Sequence, residues 1–211
     1  MKQLFTRPRA ALAAACAMFL IGGCSQTDGA SEEGQPANGS ATVAKHYEGP
    51  KPEGVSSPND AVTTTFYIPQ SSISDMYEIQ AGELAMERAR APEVKAFAKM
   101  MVADHKKSSE QLRKFVASHP VNIAPEKNLD ARRMAMLKNL QDASDAEFDS
   151  VYVGQQAAAH QEAFNLQSSY ANRGDNAALK PLAQATAKVV DHHRKMAQEL
   201  DHKFGPSRGA K

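Results

Sequence analysis

An all-α four-helix bundle, set behind an export signal and a tether, is the architecture that this 211-residue chain predicts. Three observations carry it. From about residue 71 the apolar residues recur at helical spacing, and the single β-branched run has no second strand to pair with. Helix punctuation falls at Pro92, His119-Pro120, Ser144-x-x-Glu147, Arg173-Gly174-Asp175 and Gly205-Pro206. The resulting segments are four long helices joined by two short turns and one longer middle connection.

Residues 1–23 read as a secretory signal peptide. A cationic start (Lys2, Arg7, Arg9) leads into an apolar run, Ala10 to Ile21, that is too short to span a bilayer and ends in small residues. Leu20-Ile21-Gly22-Gly23-Cys24 resembles the lipobox of bacterial lipoproteins. That resemblance implies cleavage before Cys24 and palmitate-type acylation of it. The membrane is then a partner through an N-terminal lipid anchor, held by roughly 0.8 kcal/mol per buried CH₂. Ser25, rather than Asp, after Cys24 implies the periplasmic face of the outer membrane among sorted lipoproteins. The alternative is a soluble exported protein with a free Cys24.

Removing the signal takes away three basic and no acidic residues, leaving 22 basic groups against 24 acidic ones. No basic block remains to attract nucleic acid. Cys16 leaves with the signal and Cys24 is the acylation site, so the domain has no disulfide and no thiolate metal site.

Residues 24–68 form the predicted lipid-anchored flexible tether. Residues 25–60 are rich in Gly, Pro, Ser, Asn and charge, with Tyr47 as the one aromatic, and cannot bury enough apolar surface to offset ordering entropy. A coil of this length spans roughly 35–40 Å. Its end, Val62 to Ile68, is β-branched and aromatic, and is expected to lie extended against the helices.

The bundle is expected over residues 69–204. Helix A opens at Ser71 or Ser72, with Asp75 three residues after Ser72, and runs to about Arg90. Helix B takes Pro92 at its first position and carries the seam Val94, Ala98, Met101, His105, Ser108, Leu112, Phe115 to about residue 118. Asp130 to Leu140 forms a short helix inside the middle connection. Ser144-x-x-Glu147 is a capping box opening helix C, which ends near Asn172 with Gly174 as a left-handed cap. Helix D, about 176–204, shows the seam Leu179, Leu182, Thr186, Val189, His193, Met196, Leu200, Phe204. A polar tail, 205–211, follows. The middle connection fits either a crossover or an up-down link.

Histidine stands on three seams: His105 on helix B, His160 on helix C and His193 on helix D. His160 shares its face with Gln156, Tyr152 and Asp149, at spacings of four, eight and eleven. Helix A offers Glu78 on the face of Ala81 and Ala85. At roughly 1.5 Å per residue, all four fall near mid-height of the bundle. Converging imidazole and carboxylate suit a transition-metal ion (Fe, Zn, Cu or Mn). Glu78, His105, His160 and His193 are then the candidate ligands, with Asp104, Asp149, Tyr152 and Gln156 around them. The bland alternative is a core network in which each histidine bonds a neighbour.

A di-iron site of the ferritin kind needs Glu-x-x-His on two helices. Val102, Ala157 and Val190 stand where those glutamates would be, which argues against ferroxidase activity in the ferritin manner. Asp104-His105 and Asp191-His192 point about 100° apart and cannot jointly grip one ion. The methionines Met100, Met101 and Met196 read as core filling. No phosphate loop, nucleophile elbow or catalytic cysteine is present, and no catalytic residue is assigned.

Four stretches resemble one bacterial family. They are Tyr77-Glu78-Ile79 with Glu83-Leu84-Ala85; Val94-Lys95-Ala96-Phe97-Ala98 with Met101-Val102-Ala103-Asp104-His105; Phe148-Asp149-x-x-Tyr152-x-x-x-Gln156-x-x-x-His160; and His193-x-x-x-Ala197-x-x-Leu200. Together they are similar to domain of unknown function 4142, whose members are described as exported or outer-membrane proteins with ferritin-like bundles. The resemblance implies a ferritin-like fold and an envelope location, and makes Glu78, Asp104, His105, Asp149, Tyr152, Gln156, His160 and His193 the special positions. It implies no activity.

Two functions remain open at this point. One is a cell-envelope lipoprotein serving as a binding, structural or stress-related module, with an envelope protein partner or a second copy of itself. The other is a metal-binding or oxidoreductive bundle. Convergence of three or more ligand atoms within about 5 Å marks the second, and separate partners for each histidine mark the first.

Overall fold

The α1 helix (Thr64–Arg88) begins seven residues before the expected start, and the extended reading of Val62–Ile68 is corrected from residue 64 onward. Its cap is tertiary. The Asp175 carboxylate, from the turn after α4, accepts from the Thr64 backbone N–H at 2.8 Å and from the Thr64 hydroxyl. A carboxylate at a helix N-terminus satisfies its free N–H groups and favours its dipole. Tyr67 then stacks on Tyr170 with ring centroids 4.1 Å apart, and with Ile68 it joins Leu166 and Leu179 in a closed apolar end. No signal within fifteen residues of Thr64 announces this.

The structure is a computed structural model, and it describes residues 63–205. The signal peptide, Cys24, the tether up to residue 62 and the tail from residue 206 lie outside the described residues. The other helices are α2 (Pro92–Ser118), α3 (Ala131–Asp142), α4 (Phe148–Arg173) and α5 (Lys180–Phe204). Four long helices form the bundle, α3 lies in the middle connection, and the described residues contain no strand. None of the described helices is long and apolar enough to cross a membrane.

The middle connection is a crossover. Asp149, in the first turn of α4, accepts from the Arg90 and Ala91 backbone N–H groups at 3.0 and 2.8 Å, so α4 starts at the end where α1 turns into α2. Ser118 lies at the other end, and the chain returns along α1. On the way, the Glu126 N–H donates to Ser72 Oγ at 2.8 Å. Met136 and Leu140 of α3 are buried, and the Arg88 guanidinium bonds the last carbonyls of α3, Gln141 at 2.9 Å and Ala143 at 2.6 Å. Gln155 ties three helices together: it accepts from the Tyr77 hydroxyl and donates to Met136 O and Asn139 Oδ1. As a result α2 and α4 run parallel, and α1 and α5 run against them.

Three local expectations give way. The Ser144 hydroxyl donates to the Glu147 carboxylate at 2.7 Å rather than capping a backbone N–H, and the helix starts at Phe148. Gly174 has φ −57°, not a left-handed angle. It is glycine because a Cβ there would lie 2.6 Å from the Tyr170 ring. Finally, α5 is rotated from its predicted seam. The buried stripe is Ala183, Ala187, Val190, His193 and Ala197, while Val189 is 45% exposed. Alanines face inward because α5 approaches its neighbours closely, and a seam drawn through the larger residues misses them.

Candidate metal centre

Buried near mid-height, the rings of His105 (α2), His160 (α4) and His193 (α5) face one another with centroids 5.5–5.6 Å apart. One ligand nitrogen from each lies within 4.8 Å of the others. His192, the competing neighbour, is exposed, so α5 turns His193 inward.

Each ring uses only one nitrogen on the protein. His105 Nδ1 donates to Asp75 Oδ1 at 2.8 Å. His160 Nδ1 donates to the Gln156 carbonyl at 3.0 Å, one helical turn back. His193 Nε2 donates to Asp104 Oδ2 at 2.9 Å, reaching from α5 to α2. These acceptors fix the tautomers and leave His105 Nε2, His160 Nε2 and His193 Nδ1 buried without a partner. An imidazole held by a carboxylate or carbonyl on one nitrogen, with the other lone pair free, is the arrangement that orients metal-ligating histidines. Both halves of the sequence-level criterion are therefore met, because a ring has two nitrogens.

Around the rings the polar groups are equally bare. Glu78 Oε2, the Tyr152 hydroxyl and both side-chain atoms of Gln156 are buried without hydrogen-bond partners. Glu78 is corrected as a member of the converging set. The three histidines converge without it, and its Oε1 lies 4.0 Å from His160 Nδ1, the nitrogen already bonded to Gln156, while Oε2 is buried without a partner. Asp149 is corrected more sharply. It caps the α1–α2 turn, and eleven residues of α4, about 16 Å, separate it from His160. Tyr152 and Gln156 stand beside Glu78, and Asp104 holds His193.

Asp75 is the residue sequence reasoning misplaced. Three positions before Glu78, it shares Glu78's face of α1. Its spacing from Ser72 suits a cap, but the helix starts eleven residues before it, at Thr64.

The protonation states follow from burial and charge. Desolvation is the largest influence on His105 and opposes its charge, but the bond to Asp75 and the charges of Asp75, Glu78 and Asp104 together outweigh it, and the group titrates above its ordinary range. Desolvation and the positive charge of His105 push His160 down to about 3. His193 falls to about 4 for the same reasons, with His160 adding to them and Asp104 opposing. Burial raises Glu78 above the usual carboxylate range. At neutral pH His160 and His193 are neutral, and at His105 a proton competes with any cation more strongly than at an ordinary histidine.

With this geometry in place, the family can be stated. The pattern described as Domain of unknown function (DUF4142) matches residues 50–200, well over half the chain. The chain belongs to that family. No curated protein matches it. Among solved structures, CopM in the Cu(II)-bound form is similar in fold, with a TM-score of 0.55 and 17% identity, covering 68% of this chain and 99% of CopM. DUF4142 in this chain is thus an all-α bundle whose buried histidine cluster is compatible with metal binding.

Proposed function

We propose that this domain binds one transition-metal ion at His105, His160 and His193, as a lipid-anchored envelope protein held by Cys24. The carrying observation is that three buried rings each bring a ligand nitrogen within 4.8 Å of the others, and that each of these rings keeps one buried nitrogen without a partner while the other is held by an acceptor. Ligand bonds near 2.0–2.1 Å place nitrogens about 3.3–4.2 Å apart, so the rings need to close by about 1 Å. Imidazole without thiolate suits Cu(II) or Zn(II). Fe and Mn are less suited, because no carboxylate joins the three nitrogens. The Cu(II)-bound state of the structural neighbour supports copper as the first ion to try. Asp75, Asp104 and Glu78 supply the negative charge that a divalent ion needs nearby. Electron transfer at the ion stays a secondary reading, and the envelope partner role is compatible with either.

Elemental analysis of the tag-free domain tests the proposal, beside a His105→Ala/His160→Ala double variant. One equivalent of copper or zinc retained by the unmutated chain and lost from the variant is the expected result. Metal at trace level in both would end it.

A further inference from the structure

Three nitrogen ligands leave a tetrahedral or larger coordination sphere open, and sites of that kind take an outside ligand, whereas structural sites are closed by four protein groups. The question is where the open side faces. A groove of about 210 Å³ between α2 and α5 has His105 and His193 among its own lining residues. Both residues belong to the converging set, so the groove adjoins that set, while the unpartnered nitrogens themselves are buried. On its other sides the set is flanked by Glu78 of α1 and by Tyr152 and Gln156 of α4, all buried, and Phe97 of α2 packs on His160 with ring centroids 6.3 Å apart.

The walls define what fits. Lys107, Ser108, Gln111 and Thr186 line the groove, offering an ammonium, two hydroxyls and an amide. The carboxylate that lines it, Asp104, is 40% exposed but is engaged by His193 Nε2. The three imidazoles add no charge of their own, so a divalent ion there is offset only by the nearby carboxylates of Asp75, Asp104 and Glu78, and Lys107 stands in the groove wall to balance an anion. The volume is below the about 300–1,000 Å³ typical of drug-sized ligands. Charge and size agree on one class of guest.

Resting on the proposed metal site, we infer that the fourth coordination position opens into the α2–α5 groove and takes a small inorganic anion from solution. Lys107 and the flanking hydroxyls steer the anion, and the three histidines present the ion to it. The site is then a reactive or exchangeable one, not a structural staple.

The test uses the mature chain loaded with Cu(II) and titrated with azide. A saturable azide-to-copper charge-transfer band is expected, together with a changed electron paramagnetic resonance spectrum. Val189→Trp fills the groove from an exposed position and should weaken azide at least tenfold with copper content unchanged. Lys107→Glu, which changes charge rather than bulk, should weaken it about threefold. Copper uptake with no azide response overturns this inference and leaves the metal site standing. Equal azide binding in all three proteins also overturns it, since the ligand would then arrive by another route. Failure to take up copper overturns the metal site and this inference together.

Discussion

The two halves of the bundle interior treat buried polar groups in opposite ways. At the closed end, beside the α4–α5 turn, every polar side chain that matters has a partner. The Tyr67 hydroxyl donates to Gln167, the Gln167 amide donates to Ser71, and the Tyr170 hydroxyl meets Thr64 and Asp175. At mid-height, seven atoms of Glu78, His105, Tyr152, Gln156, His160 and His193 have none. An unsatisfied buried polar atom costs about 1–3 kcal/mol, and a domain's whole stability is about 5–15 kcal/mol. A bundle that satisfies one end so fully and leaves buried nitrogens and a carboxylate oxygen unpartnered at mid-height is compatible with binding a metal there.

The comparison breaks most visibly through the rings themselves. His105→Ala or His160→Ala should lower copper affinity by at least about 100-fold in a competition titration, because the remaining two nitrogens no longer enclose an ion. Tyr67→Phe at the closed end should leave that affinity unchanged. Equal losses from both ends would mean that the contrast has no functional content.

Asp75→Asn comes next. It keeps the shape but weakens the acceptor behind His105, and changes to such supporting groups cost about 10–100-fold in metal affinity. Asp104→Asn should cost less, since Asp104 is 40% exposed and solvent can replace it. An Asp104 effect larger than that of Asp75 would reverse the assignment of which support matters more.

Acid sharpens the contrast in two ways. His105 titrates above its ordinary range, so below that point each ion bound releases a proton and affinity should rise about tenfold per pH unit. For stability, His160 and His193 have folded-state values of about 3 and 4, below about 6.5 for an unfolded histidine. Lowered values mean their contribution is present above about pH 6.5 and is lost as the pH falls toward 4. With two such groups the metal-free domain should lose up to about 2.7 kcal/mol per pH unit in that window, read by urea titration. His160→Phe should flatten the slope.

Sequence pattern reached much of this and stopped at identifiable places. Helix α2, its Pro92 start and its seam follow from spacing alone, because its apolar stripe is regular and its ends are local. The three histidines and Asp104 were legible because depth along a rod can be counted. The start of α1 was not, since its cap arrives from Asp175, 111 residues away. Asp149 shares a helical face with His160, but face says nothing about height, and it belongs to the turn. Asp75 was hidden by a capping pattern that local sequence made more attractive than a distant ring. The face of α5 was misjudged because small residues, not large ones, mark a close approach.

The smallest expected effects lie at the two ends, first the closed one. Tyr67→Phe removes one buried hydrogen bond and orphans Gln167 Oε1, for about 1–3 kcal/mol of stability. At the opposite end, Asp149→Ala removes the cap of the α1–α2 turn, for about 1 kcal/mol. Chemical denaturation measures both, and neither should move metal content.

Counting the imidazoles around the bound ion tests the central claim most directly. X-ray absorption on the Cu(II)-loaded domain should show three histidine nitrogens, falling to two in His193→Ala. A coordination sphere of oxygen alone, or one unchanged in that variant, would place the ion elsewhere and contradict the account.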